Sequence, residues 1–177
     1  STYKPIIGIT MGDPASIGPE IAIKALQTDA VTSICRPMLV GDAGLLRFTA
    51  EHLGWKVTIH AIDNVQQALF RRGTIEVLDM KTVDMKKFTW GEISAMSGHA
   101  SFEAVRKVIE LAMAGEIAAT VTGPINKKSI NDAGHHFAGH TEIYAHYTGT
   151  SKYGMLLVED NLKVIHVSTR VARRQRC

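Results

Sequence analysis

Residues 5–20 read PIIGITMGDPASIGPE. The apolar, β-branched run PIIGIT (5–10) enters a turn dense in glycine and proline, and Gly18 and Pro19 then mark a helix start, since proline is tolerated in the first helical turn. A strand that passes through a tight turn into a helix opens a βα unit. The free amides and the dipole at such a helix start favour an anion, and ligand sites of α/β sheets gather at the carboxyl ends of parallel strands. The spacing is neither GxGxxG nor a Walker A loop. A plain βα turn capped by Asp13 explains the same residues about as well.

The rest of the chain repeats the alternation. PMLVGD (37–42), KVTIH (56–60), TIEVLDM (74–80), AATVTG (118–123), YGMLLV (153–158) and LKVIHVS (162–168) read as strands. PEIAIKALQ (19–27), AGLLRFTAEHLG (43–54) and SFEAVRKVIELAMAGE (101–116) read as helices. In the last of these Phe102, Val105, Val108, Ile109 and Ala112 recur at steps of three and four, so they share a face expected to lie on the sheet. Residues 80–100 carry no clear period and are expected to form an excursion. The pattern predicts a three-layer αβα fold around a mostly parallel sheet, without an internal domain boundary over 1–177. LKVIHVS reads as a buried strand, but only RVARRQRC follows it, too short and charged to cover a sheet. An incomplete fold, the front part of a longer protein, is therefore expected.

With 177 residues and 45% hydrophobic content, the chain can bury a sizeable core. No apolar stretch is long enough for a membrane span, and the N-terminus lacks the order of a signal peptide, so a cytoplasmic location and no membrane partner are expected. Cys35 and Cys177 make neither a disulfide framework nor a CxxC pair. The net charge of +3 comes from the tail: without Arg170, Arg173, Arg174 and Arg176 the balance is 16 basic against 17 acidic residues. The body thus carries no nucleic-acid footprint.

A second polar stretch, TGPINKKSINDAGHHFAGHTE (122–142), follows the fifth strand. Asn126, Lys127, Lys128 and Asn131 open a loop at the carboxyl edge. Lys127, like Asp13 in the first turn, is a candidate anion-site residue, although paired lysines also suit a solvated surface. Thr141 is placed to cap the helix after Gly139, with His140 directed to the crevice. His135, His136, His140 and His146 lie close in sequence, but HHxxxH is not a ligand spacing, and His135 and His136 read as incidental.

Taken in order, MGDPASIGPE, TGPINK, NDAG and FAGHTE resemble the 4-hydroxythreonine-4-phosphate dehydrogenase family of vitamin B6 biosynthesis, with its D-threonate and D-erythronate 4-phosphate dehydrogenase relatives. The resemblance covers essentially the whole chain. It implies an isocitrate/isopropylmalate dehydrogenase-like fold and a homodimer with shared active sites. It also implies NAD- and divalent-metal-dependent oxidation (zinc, magnesium or cobalt) of the secondary hydroxyl of a 4-phosphorylated hydroxy acid, followed by decarboxylation. Candidate substrates are 4-phosphohydroxy-L-threonine and D-threonate 4-phosphate.

By the same resemblance, His140 and Thr141 match the family's substrate-contacting GHTE pair. The metal-binding histidine that ends the family's TTH or STH strand falls on Arg170. A guanidinium has no lone pair to give a cation and repels it. The remaining metal and substrate residues of the family fall in a C-terminal half absent from this chain, so the chain alone is expected to be inactive. Ser16 stands where the family usually has glycine. The alternative expectation is a non-catalytic phosphate or sugar-phosphate binding domain.

Overall fold

A computed structural model describes residues 3–166. In chain order the elements are Ile6–Thr10 (β1), Gly18–Leu26 (α1), Asp29–Thr32 (α2), Arg36–Gly41 (β2), Ala43–His52 (α3) and Thr58–Ile62 (β3). After a 3-10 turn at Val65–Gln67 come Thr74–Asp79 (β4), Ala95–Met113 (α4), Ala119–Val121 (β5), Lys127–Asp132 (α5), His140–Thr148 (α6), Leu156–Glu159 (β6) and Leu162–Ile165 (β7).

Strands β1 to β5 form one all-parallel sheet in the order β3-β4-β2-β1-β5. Side chains alternate across a strand, which sorts the core into two layers. On one face Leu39 and Val77 pack with Ile23 and Leu26 of α1 and with Leu45 and Leu46 of α3. On the other, Met38, Val40 and Leu78 pack with Ala104, Val108 and Leu111 of α4. The expected αβα layering is thus present around the parallel sheet.

Helix α4 differs from its expected form in two ways. It begins at Ala95, because the Ser94 hydroxyl accepts the Ser97 amide at 3.1 Å and caps a turn of small residues with no apolar period. The excursion therefore ends at residue 94. The helix also carries two apolar stripes rather than one. Val108 faces the sheet, whereas Phe102, Val105 and Ile109 pack with Ile130 of α5 and Ile143 of α6. A helix buried on two sides must be apolar around most of its circumference.

The last two strands depart most from expectation. β6 and β7 form a separate antiparallel hairpin, Leu157 opposite Val164, instead of joining the sheet. Every residue of both strands is exposed, so LKVIHVS is not a buried strand over its described part. Its apolar sequence fits burial equally well, but no described element lies against it. Residues 167–168 of that run lie outside the described residues.

Two outcomes follow. Gly98 of α4 lies against α5 so closely that a Cβ would run into the Ser129 carbonyl. Glycine to alanine inside a helix normally stabilises by up to about 1 kcal/mol. Here Gly98→Ala is expected to destabilise by about 1–3 kcal/mol, read as a lower urea midpoint; a raised midpoint would sink the close-contact account. The exposed hairpin is expected to make the chain self-associate in light scattering, and Leu157→Lys with Val164→Glu to return it to monomer.

Candidate active site

The chain leaves β1 toward β2 on one side and returns with β5 on the other, so the strand order reverses at β1. Such a reversal opens a crevice at the carboxyl edge. Here two turns fill its floor. The Thr10 hydroxyl accepts the Gly123 amide at 2.9 Å, and the Asp13 amide donates to the Pro124 carbonyl at 2.8 Å. Gly12 has φ 74°, and a Cβ on it would stand 2.5 Å from the Pro124 oxygen; one on Gly123 would stand 2.8 Å from the Thr10 oxygen. The two stretches singled out in the sequence are therefore locked to each other.

Two buried carboxylates show what is structural and what is poised. Glu76 uses both oxygens: Oε1 accepts the Leu69 and Phe70 amides at 3.1 and 3.0 Å, and Oε2 lies 2.6 Å from His60 Nδ1. Asp13 Oδ1 accepts the Ala15 amide at 2.8 Å, but Oδ2 is buried without a partner. An unpaired buried acceptor costs on the order of 1–3 kcal/mol, so Asp13 is oriented for a group that is not part of the fold. Burial pushes its carboxyl above the usual range, opposed by the Ala15 amide and by Ser129. Ser129 is itself fully buried, and its hydroxyl has no hydrogen-bond partner among the described residues.

The expected loop at Asn126–Asn131 is instead α5, capped where the Asn126 side chain accepts the Ser129 amide at 2.9 Å. Asn126 and Ser129 thus belong to the crevice, whereas Lys127 is exposed and Lys128 pairs with Asp132 at 2.6 Å. A cavity of about 560 Å³ opens beside Asp13 and Asn126. The excursion supplies one wall: the Gly91 amide donates to the Ala15 carbonyl at 2.8 Å, and Trp90 stacks on Phe48 with centroids 4.8 Å apart. This cavity presents Asp13, Glu20 and Glu92 and no lysine or arginine, so its charge suits a neutral or cationic part of a ligand, not a phosphate.

His140 and Thr141 open α6. Gly139 is the N-cap and no side chain caps it, so Thr141 lies inside the first turn rather than ahead of it. The Tyr144 hydroxyl, 2.6 Å from Thr120 Oγ1, fastens α6 to β5. His140 Nε2 is buried without a partner, and burial holds the ring below the usual imidazole range, so it is neutral at neutral pH. His135 turns away to α4: its Nε2 lies 3.1 Å from His99 Nδ1, and its ring stacks on Phe102 at 3.7 Å. Burial and the adjacent His99 also hold the His135 ring low. Arg170 lies outside the described residues.

A family model described as pyridoxal phosphate biosynthetic protein PdxA matches residues 33–176. The chain belongs to the PdxA family. It is 41% identical over 169 residues to a 4-hydroxythreonine-4-phosphate dehydrogenase of Desulfosudis oleivorans and 39% identical over 171 residues to a D-threonate 4-phosphate dehydrogenase of Cupriavidus necator. These matches cover 96% and 97% of this chain, and 50% and 51% of the relatives. A solved 4-hydroxythreonine-4-phosphate dehydrogenase from Burkholderia phymatum superposes with TM-score 0.90 at 37% identity, over 97% of this chain and 52% of that one. The chain spans about half the length of the curated relatives it matches.

A dehydrogenase of the PdxA family implies a nicotinamide cofactor and a divalent metal. The crevice does not supply a seat for the metal: among the described residues, the one group of three metal-capable side chains is His99, Glu103 and His135, away from Asp13 and His140. No described strand leads into a GxGxxG turn, so the described residues assign no nicotinamide site either.

The buried imidazole makes stability depend on pH. Its folded pKa lies below the usual 6.5, so on acidification the unfolded chain takes up the proton first. Stability is full above about pH 6.5 and falls from there toward the folded pKa. His140→Gln is expected to flatten that part of the fall in urea titrations between about pH 7 and 5; an unchanged slope would show that the ring is not desolvated.

Proposed function

We propose that this chain carries the substrate-contacting half of an NAD- and metal-dependent dehydrogenase that oxidises and decarboxylates a 4-phosphorylated hydroxy acid. The observation that carries the proposal is the buried, neutral, unpartnered Nε2 of His140 at the start of α6. A desolvated ring nitrogen of this kind is built to meet a polar group of a ligand. In this reading His140 orients a hydroxyl or acid group, and the Thr141 hydroxyl beside it supplies a second hydrogen bond. The free amides and dipole of the nine-residue α6 favour the ligand's negative charge. Lys127, exposed at the start of α5, draws the anion toward the edge. Asp13 and Asn126 receive uncharged polar groups in the acidic cavity.

The residues present do not complete the chemistry. Arg170 stands at the family's ligand position, and no metal-ligand set gathers in the crevice among the described residues. The proposed function therefore includes pairing of two copies and residues that this chain does not carry, and by itself the chain binds without turning over. The exposed faces of β6 and β7 offer apolar surface for such pairing.

With D-threonate 4-phosphate or 4-phosphohydroxy-L-threonine, NAD and zinc or magnesium, the chain is expected to give no rise in reduced-cofactor absorbance. Calorimetry with the same acids is expected to show binding that His140→Ala weakens by about tenfold or more, the loss of one buried hydrogen bond to a charged partner. Robust turnover by this chain would sink the claim of inactivity, and absence of heat would sink the substrate site. In a chimera that continues this chain with the second half of a D-threonate 4-phosphate dehydrogenase, Arg170→His is expected to switch on metal-dependent activity. Equal activity with Arg170 retained would show that position 170 is not the ligand position.

A further inference from the structure

His99 and Glu103 stand one turn apart on α4, at the i, i+4 spacing that puts two side chains on one helix face. His135 reaches the same place from a different element. It follows Gly134, whose φ of 88° ends α5, and two backbone bonds fix this exit: the Gly134 amide to Asn131 and the His135 amide to Ile130, each 2.9 Å. The His135 ring is then held flat against Phe102. One nitrogen from each histidine and one carboxylate oxygen of Glu103 all lie within 4.8 Å of one another.

We infer that His99, Glu103 and His135 form a binding site for a transition-metal cation of the zinc type, separate from the crevice at β1 and β5. Two imidazole nitrogens with one carboxylate oxygen are the three-ligand set that leaves a fourth position to water. Without a cation, the facing nitrogens share a proton: they are 3.1 Å apart, and ring centres 5.4 Å apart place them head-on. A cation takes the place of that proton once the His99 ring turns to aim its lone pair off the line. His99 is the exposed member, and its ring has no other hydrogen-bond partner among the described residues, so the turn is open to it. Arg106 does not block the site. Its strongest contact is Nη2 to Glu103 Oε2 at 2.6 Å, while Oε1 is held only by Nε at 3.3 Å. The guanidinium thus orients the carboxylate and leaves Oε1 to ligate, in the manner of the outer hydrogen bonds around metal ligands.

Titration of the chain with zinc by calorimetry, and with cobalt(II) followed by its visible absorption, tests the site. One equivalent is expected to bind, with cobalt bands typical of a four-coordinate site. His135→Ala and Glu103→Gln are each expected to weaken binding by more than about tenfold, whereas His136→Ala retains it. Zinc is also expected to raise the melting temperature of the unaltered chain and not of the His135→Ala chain. Absence of binding to the unaltered chain overturns the site, and so does binding that survives both His135→Ala and Glu103→Gln unchanged. Circular dichroism of the variants confirms that a loss of binding reflects a lost ligand in a folded chain. Neither outcome bears on substrate binding at His140, which the calorimetry with phosphorylated acids reads separately.

Discussion

The turns after β1 and β5 approach each other more closely than side chains allow, and the architecture depends on that approach. The Asp13 amide reaches the Pro124 carbonyl only because Gly12 and Gly123 bring no Cβ into the gap. Each hydrogen bond there is worth about 0.5–1.5 kcal/mol net, so the bonds are not what makes the contact decisive. Sterics decide it, since any larger residue meets backbone that cannot move without separating two paired strands. With the two turns fixed, α1 and α5 must start from the same edge. Their polar residues, Asp13 on one side and Asn126 and Ser129 on the other, then share one crevice.

Helix α4 carries the second constraint. One stripe holds it to the sheet and the other holds α5 and α6, so the position of His140 is set through Ile143 and Ile130 by Phe102, Val105 and Ile109. Fully burying a large apolar side chain such as Phe102 contributes about 1.5–3 kcal/mol, and losing it would loosen three helices at once. The close seat at Gly98 sets how near α5 comes. That is why a helix with glycine and serine in its first turns is still well anchored: small residues permit the contact that the later apolar residues consolidate.

Much of this was legible in the sequence because it rests on local pattern. Five strands, α1 and α3 follow from apolar runs, turn residues and period, and the motif pairs at Gly12 and Gly123 marked both turns of the crevice. What escaped depends on tertiary partners. Helix α5, KKSIND, has a single apolar residue and shows its start only through the Asn126 to Ser129 cap. The start of α4 was hidden by small residues that pack against α5 rather than against the sheet. β6 and β7 have the composition of core strands, and composition does not reveal whether a covering layer is present. His99 and Glu103 are visibly one turn apart, yet their meeting with His135, 36 residues from His99, exists only once α5 is docked on α4.

That docking joins the two polar centres of the molecule. Asn126 caps the first turn of α5 and lines the crevice, and His135 leaves its last turn to face His99. Six residues of helix span about 9 Å, too short to bend, so α5 moves as one piece. A cation between α4 and His135 would pin the far end of this piece, while the Pro124 contact already holds the near end. Opening of α5 away from α4 would then require breaking a metal bond as well as exposing Ile130, and the crevice residues Asn126 and Ser129 would be held more rigidly. Metal and substrate are thus expected to favour the same docked arrangement of α5, which makes their binding mutually supportive although no ligand atom is shared.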